Sequence, residues 1–164
     1  MFRKGDKIVY PMYGAGIIED LEEKEVEGGC QTFYVLRISV GNLKIMVSAC
    51  KAENIGIREV YDKETVISTL KSVIPKPVIM SENWNQRYRE NMEIIKTGGL
   101  ADVALVFRNL LLREKERGLS SAEKKVLTAA KQIIVSEIIL SQDVDKSIAE
   151  QVLLDTLDNV EMCV

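Results

Sequence analysis

The segment Thr32-Phe33-Tyr34-Val35-Leu36-Arg37-Ile38 is rich in β-branched and aromatic residues, and the turn pair Gly41-Asn42 follows it. This composition is typical of a β-strand, and glycine and asparagine favour a tight turn directly after one. The next apolar run, residues 43–47, is short enough to pair back against residues 32–38. The sequence therefore predicts an antiparallel hairpin at this point.

Three further short segments on either side of this hairpin also have strand character. Residues 7–10 form an apolar run that ends at Pro11, residues 15–21 alternate loosely, and residues 55–58 form a short final strand or edge. The pair Gly28-Gly29 supplies a turn before the central segment. Four or five short strands joined by tight turns within about 60 residues favour a small antiparallel barrel.

The hydrophobic pattern changes from a strand period to a helical period after Tyr61. We therefore predict an α+β protein with a barrel over residues 1–60 and an all-helical domain over residues 61–164. Ser81 or Asn83 can cap the second helix, and Ser120 with Glu123 fits a capping box. The predicted helices cover residues 63–73, 84–97 and 100–117, a segment beginning after Ser120, and an acidic segment over residues 145–157, with the proline-containing residues 74–77 as a linker or turn.

Trp84 is the only tryptophan in the chain, and it opens a predicted helix one turn away from arginines. It shares a helical stripe with Tyr88, Met92 and Ile95, which favours a role in the core. Its position in the first turn and its polar neighbours favour a different role, because an exposed ring can stack on or wedge against an unpaired base while cations hold phosphates. Both interpretations stand on the sequence alone.

The charge of the chain is unevenly distributed, although its formal net value is only −3. Residues 81–140 carry ten basic and eight acidic side chains, whereas residues 141–164 carry one basic and six acidic side chains. The segment with Trp84 is therefore mildly basic and the tail is acidic. Such a weak positive field does not support tight independent binding of DNA, so any DNA contact requires the help of a partner.

The chain lacks the residues that most enzymes use for catalysis. It contains no histidine, no glycine-rich phosphate loop and no pair of cysteines at metal-ligand spacing, and the acidic run at residues 19–23 is better explained as solvated surface. We expect no enzymatic activity, no cofactor and no metal. Three widely spaced cysteines also suggest no disulfide framework, and with no apolar run that could span a membrane or direct secretion they indicate a cytoplasmic protein.

Four motifs resemble the CarD/CdnL family of bacterial transcription regulators. They are the opening run Phe2-Arg3-Lys4-Gly5-Asp6-Lys7-Ile8-Val9-Tyr10-Pro11-Met12-Tyr13-Gly14-Ala15-Gly16, the short segment Ile55-Gly56-Ile57-Arg58, the helix start Asn83-Trp84-Asn85-Gln86-Arg87-Tyr88-Arg89, and the turn Lys115-Glu116-Arg117-Gly118-Leu119-Ser120. The opening run is also similar to the polymerase-interaction domain of the transcription-repair coupling factor. The tryptophan motif and the lack of a helicase segment select CarD/CdnL.

The resemblance implies a Tudor/SH3-like barrel that docks on the β subunit of RNA polymerase through an exposed strand. The corresponding polymerase-binding positions are Lys24, Lys44, Ile45, Met46 and Val47. At two positions where some members use arginine towards polymerase, Lys24 keeps the charge and Met46 does not. Ser48 stands where proline is common after that strand, so the contact is expected to rely on strand pairing and apolar surface.

The resemblance further implies that the helical domain meets promoter DNA at the upstream edge of the transcription bubble. Trp84 would wedge into the minor groove at the opened junction, and Arg87, Arg89 and Lys124 would hold the DNA backbone. The protein is expected to act as a monomer with no membrane contact, and to stabilise the open complex.

Two other functions remain open. The first is a protein-interaction module whose Trp84 is buried and which has no DNA role. The second is a methyl-lysine reader with an aromatic cage, which is disfavoured because Phe33 and Tyr34 point to opposite faces of one strand. The solvent exposure of Trp84 separates the DNA-contacting protein from the interaction module.

Overall fold

The computed structural model describes residues 1–158 and has an α+β architecture, as the sequence predicts. One five-stranded antiparallel sheet precedes the main helices, with the strand order β4-β3-β2-β1-β5. The sheet is open and is not a closed barrel, because β4 and β5 each pair with only one neighbour. The strands are β1 (Lys7–Tyr10), β2 (Gly14–Val26), β3 (Gly29–Ile38), β4 (Lys44–Ser48) and β5 (Arg58–Glu59).

The central hairpin and its turns form where the sequence predicts them. Strand β3 pairs with β4 in the register Phe33↔Ser48 to Arg37↔Lys44. On its other side β3 pairs with β2 through the turn at Gly28 and Gly29, whose φ angles of 108° and 129° favour glycine. The two hairpins therefore make β3 the central strand of the sheet's longer half.

A short helix, α1 (Ala49–Ile55), lies between β4 and β5 and is missing from the sequence prediction. The segment over residues 55–58 was expected to be a strand, but only Arg58 and Glu59 pair with β1. Two alanines and the left-handed Gly56 explain the difference: Ala52 is buried against the sheet, and Gly56 ends the helix with a φ of 88°. Ile55 and Gly56, which were expected to begin a strand, thus form the last residue of α1 and its C-terminal cap.

Five more helices follow, and their ends agree with the predicted boundaries to within a few residues. Asn83 caps α3 by accepting hydrogen bonds from the backbone of Asn85 and Gln86, and Ser120 forms the predicted capping box with Glu123. The helices are α2 (Lys63–Ser72), α3 (Trp84–Lys96), α4 (Leu100–Glu116), α5 (Ser121–Gln142) and α6 (Lys146–Asp158). None of the helices in residues 1–158 has both the length and the apolar composition that crossing a membrane requires.

Residues 1–158 form one large core between the helices, a smaller one against the sheet, and a small cluster of Val9, Ala15 and Leu140 where the sheet meets α5. The helical core is centred on α4 and α5, with Phe107, Leu110 and Ile134 almost completely buried. The sheet core contains Tyr34 and Leu36. Residues 159–164, at the end of the acidic tail, lie outside the described residues.

A buried arginine on α4, Arg108, anchors the segment between α2 and α3. The guanidinium of Arg108 donates hydrogen bonds to the backbone oxygens of Val73, Ile74 and Lys76 at 2.6–2.9 Å. The same side chain also donates to Asn109. Burial lowers the pKa of Arg108. The two prolines at positions 75 and 77 therefore belong to a fixed connection between the helices.

Helix α5 joins the helical core to the sheet through polar contacts that are themselves buried. The backbone N–H of Ala15 donates to Ser136 Oγ at 2.7 Å. Glu137 is fully buried and accepts two hydrogen bonds from Arg58, at 2.7 and 2.9 Å, and one from the backbone of Tyr61 at 3.2 Å. These contacts join the two parts of the chain. The predicted domain boundary between residues 60 and 61 stays a prediction.

Gly14 lies where the backbone of the sheet packs closely against α5. A Cβ at this position would lie 2.5 Å from Ser136 Oγ and 3.3 Å from Ile133 Cα, and the φ of 103° already disfavours other residues. We predict that Gly14→Ala lowers the free energy of unfolding by about 1–2 kcal/mol from backbone strain and by a further ~1–3 kcal/mol from overpacking. Urea unfolding followed by circular dichroism measures this loss.

Gly5 offers a matched control for Gly14. Its φ of 92° is similar, but a Cβ there would meet nothing within 4 Å. Gly5→Ala should therefore show only the loss from backbone strain. Equal losses in the two variants would mean that the contact between Gly14 and α5 adds nothing to stability.

Candidate nucleic-acid and polymerase interfaces

Trp84 lies at the capped start of α3 and is half exposed, with 50% of its surface accessible. Its helical stripe enters the core only further along, where Tyr88 and Met92 are half-buried and Ile95 is buried. The interpretation of Trp84 as a core residue is therefore wrong. The ring stays accessible to solvent in the first turn of α3, before the helix stripe enters the core.

Arg87 is buried, with 3% of its surface exposed, and forms an ion pair with the equally buried Glu123 at the start of α5. Its guanidinium also donates to the backbone oxygens of Ser81 at 2.8 Å and Glu82 at 3.2 Å. Arg87 was expected to hold a phosphate, but all of these hydrogen-bond donors face inward. Arg87 instead positions the start of α3.

Glu123 serves two helices at once. It completes the capping box by accepting from Ser120, and it pairs with Arg87. Burial raises the pKa of Glu123, but the hydrogen bonds from Arg87 and Ser120 outweigh burial and hold the pKa below its ordinary value. The carboxylate therefore stays charged, and its ion pair brings the N-termini of α3 and α5 together.

Lys124 follows Glu123 on α5 and is exposed to solvent. Its Nζ lies 3.8 Å from Glu114 Oε1, which is a loose contact for an ion pair. Lys124, Lys125 and Thr128 line a shallow surface groove of about 300 Å³. Because Arg87 holds α3 against Glu123, the exposed ring of Trp84 and this cationic groove lie at the same end of the helical core.

Arg89 is exposed and has no hydrogen bond or ion pair among the described residues. At about 100° per residue it lies about 140° around α3 from Trp84. The structure therefore does not place Arg89 on the same side of the helix as the tryptophan. Lys125, which the sequence patterns did not single out, lines the same groove as Lys124, and its only sequence signal is its place beside Lys124.

Strand β4 is an edge of the sheet, since it pairs only with β3. The backbone N–H of Ile38 donates to Leu43 O, which makes this pair a hydrogen-bonded one. Hydrogen-bonded pairs alternate along an antiparallel ladder, so Ile45 and Val47 bond to β3 while Lys44 and Met46 turn their backbone groups away from it. These two residues are exposed and present the free edge, whereas Ser48 at the end of the strand is buried.

The side chains of β4 divide in the same alternating way. Ile45 and Val47 pack into the sheet core, whereas Lys44 and Met46 are exposed. The side chain of Val47, which was expected to contact polymerase, therefore packs inside the protein. Only the backbone edge and the side chains of Lys44 and Met46 remain accessible to a partner.

Lys24 lies far from Lys44 along the same half of the sheet. Lys24 pairs with Gln31 and Lys44 pairs with Arg37, six residues further along β3. At about 3.4 Å per residue, the two lysines are separated by about 20 Å. A partner that contacts both must therefore extend along the length of β3. Lys24 also approaches Glu22 at 3.5 Å.

The structure does not assemble the aromatic cage that a methyl-lysine reader requires. Tyr34 is buried in the sheet core against Phe2, with ring centroids 5.9 Å apart. Tyr10 instead packs edge-to-face on Tyr13. Within residues 1–158, no three metal-ligating side chains come together either.

Two family models match the chain in succession. The model for the CarD-like/TRCF RID domain covers residues 2–61, and the model for the CarD C-terminal domain covers residues 65–154. The chain belongs to the CarD family. It is also 39% identical over 158 residues to the "Putative transcription factor YdeB" of Bacillus subtilis (strain 168), a match that spans 92% of this chain and 96% of that protein. Membership of the CarD family makes transcription regulation the role of this chain.

The two arginines on α3 allow a matched test of this geometry in the CarD family member. Arg87→Ala leaves the Glu123 carboxylate buried without its partner, so we predict a loss of about 3–5 kcal/mol in the free energy of unfolding. Arg89→Ala removes an exposed side chain and should change this free energy by less than about 0.5 kcal/mol. Urea unfolding of both variants makes the comparison, and similar losses would contradict the structural role of Arg87.

Proposed function

We propose that this protein docks on the β subunit of RNA polymerase through β4 and stabilises the open promoter complex with Trp84. The observation that carries the proposal is the half-exposed ring of Trp84 at the capped start of α3, which the Arg87–Glu123 pair joins to the start of α5, the helix that carries Lys124. A large exposed apolar ring on a fixed helix end is suited to wedge at a junction where base pairs have opened.

The support for wedging comes from the packing behind the ring. Asn83 caps the helix, and Arg87 fixes its first turn to α5. The backbone that carries the ring therefore does not need to be ordered when it meets DNA, and the contact loses less conformational entropy. A base stacked on an aromatic side chain is worth about 1–3 kcal/mol.

The backbone contacts are proposed for Lys124 and Arg89, with Lys125 as an additional cation. All three are exposed, and none lies in a pattern that reads base edges. The net charge of −3 gives these cations little reach on their own. Attachment to polymerase supplies the missing affinity, because a tethered second contact acts at a high effective concentration.

The polymerase contact is proposed at the free edge of β4. Lys44 and Met46 turn their backbone groups outward there, and an extended segment of the partner can add to the sheet by pairing with them. Exposed edges are normally protected, and this one has only Lys44 and its short length as protection. The side chain of Lys24, about 20 Å further along β3, would contact the same partner.

Helix α5 connects the two proposed contacts. Lys124, near the start of α5, is one of the proposed DNA contacts. Glu137, near the end of α5, forms an ion pair with Arg58 beside the sheet. Lys124 and Glu137 are thirteen positions apart, which corresponds to about 20 Å of helix. Docking through β4 would therefore fix the direction from which Trp84 approaches the promoter.

A protein-interaction module without a DNA role is the second candidate. The negative net charge of the chain favours it, since DNA-binding domains are usually strongly basic. This candidate shares the β4 edge but gives Trp84 no function. A variant of Trp84 therefore separates the two functions.

We predict that Trp84→Ala shortens the lifetime of the open complex on a weak promoter by roughly tenfold to a hundredfold, the loss of about 1–3 kcal/mol of stacking. Binding to polymerase and the Tm of the protein should stay nearly unchanged, because the ring is half exposed. Tyr13→Ala, which removes a similarly exposed aromatic ring beside the sheet, serves as the control. An unchanged lifetime with Trp84→Ala supports the interaction module instead.

The docking edge is tested by a proline that removes one outward N–H. Met46→Pro takes away a donor at the free edge without breaking a bond to β3, and proline is tolerated on edge strands. We predict severalfold weaker binding to polymerase for Met46→Pro than for Met46→Ala, which removes the same side chain but keeps the donor. Thermal melts of both variants check the fold, and equal binding would place the docking surface elsewhere.

A further inference from the structure

A surface pocket of about 450 Å³ lies at the end of β4, between β3, α1 and the N-terminal residues. One wall is formed by Cys30, Thr32 and Tyr34, which alternate along β3 and therefore share one face. The other wall comes from α1 and includes Cys50 and Glu53. The volume lies in the range of pockets that hold small molecules. Neither the proposed DNA contact nor the β4 edge uses this pocket.

Both cysteines of the described residues line this pocket. Cys30 and Cys50 are exposed and carry free thiols, which is unusual because free cysteine is among the most buried residue types. Cys50 Sγ also lies 2.9 Å from the hydroxyl of Ser48, which can donate a hydrogen bond to a thiolate. Two accessible thiols that line one pocket are an arrangement in which thiol–disulfide exchange can occur.

We propose that this pocket is a site of reversible thiol oxidation in which Cys30 and Cys50 form a disulfide through a low-molecular-weight disulfide, RSSR. The Cys50 thiolate attacks one sulfur of RSSR, the S–S bond breaks, and RS⁻ leaves with the electron pair. The Cys30 thiolate then attacks Cys50 Sγ and expels the second RS⁻. The two protein thiols are oxidised, RSSR is reduced to two RSH, and these take up the two thiol protons.

The order of the two steps follows from the surroundings of the thiols. Ser48 contacts Cys50, whereas no hydrogen bond to the Cys30 thiol is present in residues 1–158. Cys50 is therefore the first nucleophile, and Cys30 is the resolving thiol. The pocket between them has room for the R group of the intermediate mixed disulfide.

Disulfide formation requires the two Cα atoms to come within about 7 Å. The first turn of α1 can make this approach because its N-cap is incomplete: Ser48 makes no side-chain hydrogen bond to the helix backbone and contacts Cys50 instead. Helix α1 has only seven residues and a single buried residue, Ala52. A shift of its first turn towards β3 thus disturbs little packing.

Oxidation at this pocket would act on the proposed docking edge, and this consequence rests on the proposed function. Ser48 is both the last residue of β4, two positions after the exposed Met46, and the residue from which α1 starts. A disulfide from Cys50 to β3 pulls on this residue. The oxidised protein should therefore bind polymerase severalfold more weakly than the reduced protein.

The chemical step is tested with full-length protein carrying Cys163→Ser, so that only the two pocket thiols remain. The protein is incubated with oxidised glutathione, and non-reducing peptide mapping with thiol counting follows the products. We expect a monomer with a Cys30–Cys50 disulfide and no free thiol. The Cys30→Ser variant should stop at a glutathione adduct on Cys50, and the Cys50→Ser variant should react more slowly. A stable adduct in the protein with both cysteines, or a disulfide only between two chains, overturns the proposal.

The effect on docking is measured by polymerase pull-down with reduced and oxidised protein, using Cys30→Ser/Cys50→Ser treated in the same way as the control. Weaker binding of the oxidised protein alone supports the regulatory role. Equal binding of both forms overturns that role even where the disulfide has formed. Absence of binding by the reduced protein indicates instead that the proposed function is wrong, and the peptide map still decides the thiol site.

Discussion

The buried ion pair between Arg87 and Glu123 joins the N-termini of α3 and α5, and the candidate DNA-contacting surface depends on it. Two helices that meet at their N-termini bring unpaired N–H groups and partial positive charge to the same place. Glu123 offsets this charge as part of the capping box, and Arg87 offsets the buried carboxylate in turn. The end of the bundle therefore keeps a fixed shape, and Trp84 and Lys124 keep their relative positions.

A second set of buried polar contacts performs the corresponding task between the helices and the sheet. Ser136 and Glu137 are adjacent on α5, and they bind the backbone of Ala15 and the guanidinium of Arg58. A buried ion pair adds little net stability compared with an apolar contact, but it restricts the arrangements that satisfy both charges. The consequence is a defined orientation of the sheet relative to α5, which an apolar contact alone would leave less specific.

Local signals in the sequence predicted most of the elements, because turns and caps depend on residues close in the chain. Asn83, Ser120 and Gly28 each acted where the sequence placed them. The open sheet was not predictable in this way, since closure depends on whether β4 and β5 meet. Helix α1 was missed for a related reason: its seven residues are too few for a helical period, and Ala52 reveals its buried face only once the sheet is present.

The candidate site was predicted in part, and the error at Arg87 is instructive. Trp84 and Lys124 are exposed as a DNA-contacting role requires, and their selection followed from residue type and the family resemblance. Arg87 was selected for the same reasons, but its environment is set by Glu123, 36 residues away in the chain. Sequence proximity to Trp84 also led to Arg89, which is exposed but lies about 140° around α3 from the tryptophan.

The anchoring of the segment before α3 has a mechanical consequence. In the proposed function, a duplex that closes against Trp84 would push on the start of α3, and this load must be passed on if the ring is to act as a stop. The segment over residues 73–80 would yield as a hinge if it were free. Arg108 holds three of its backbone oxygens from inside the core, so the load would pass into α4 and, through Glu123, into α5. The stiffness of the proposed wedge would thus be set by a buried guanidinium.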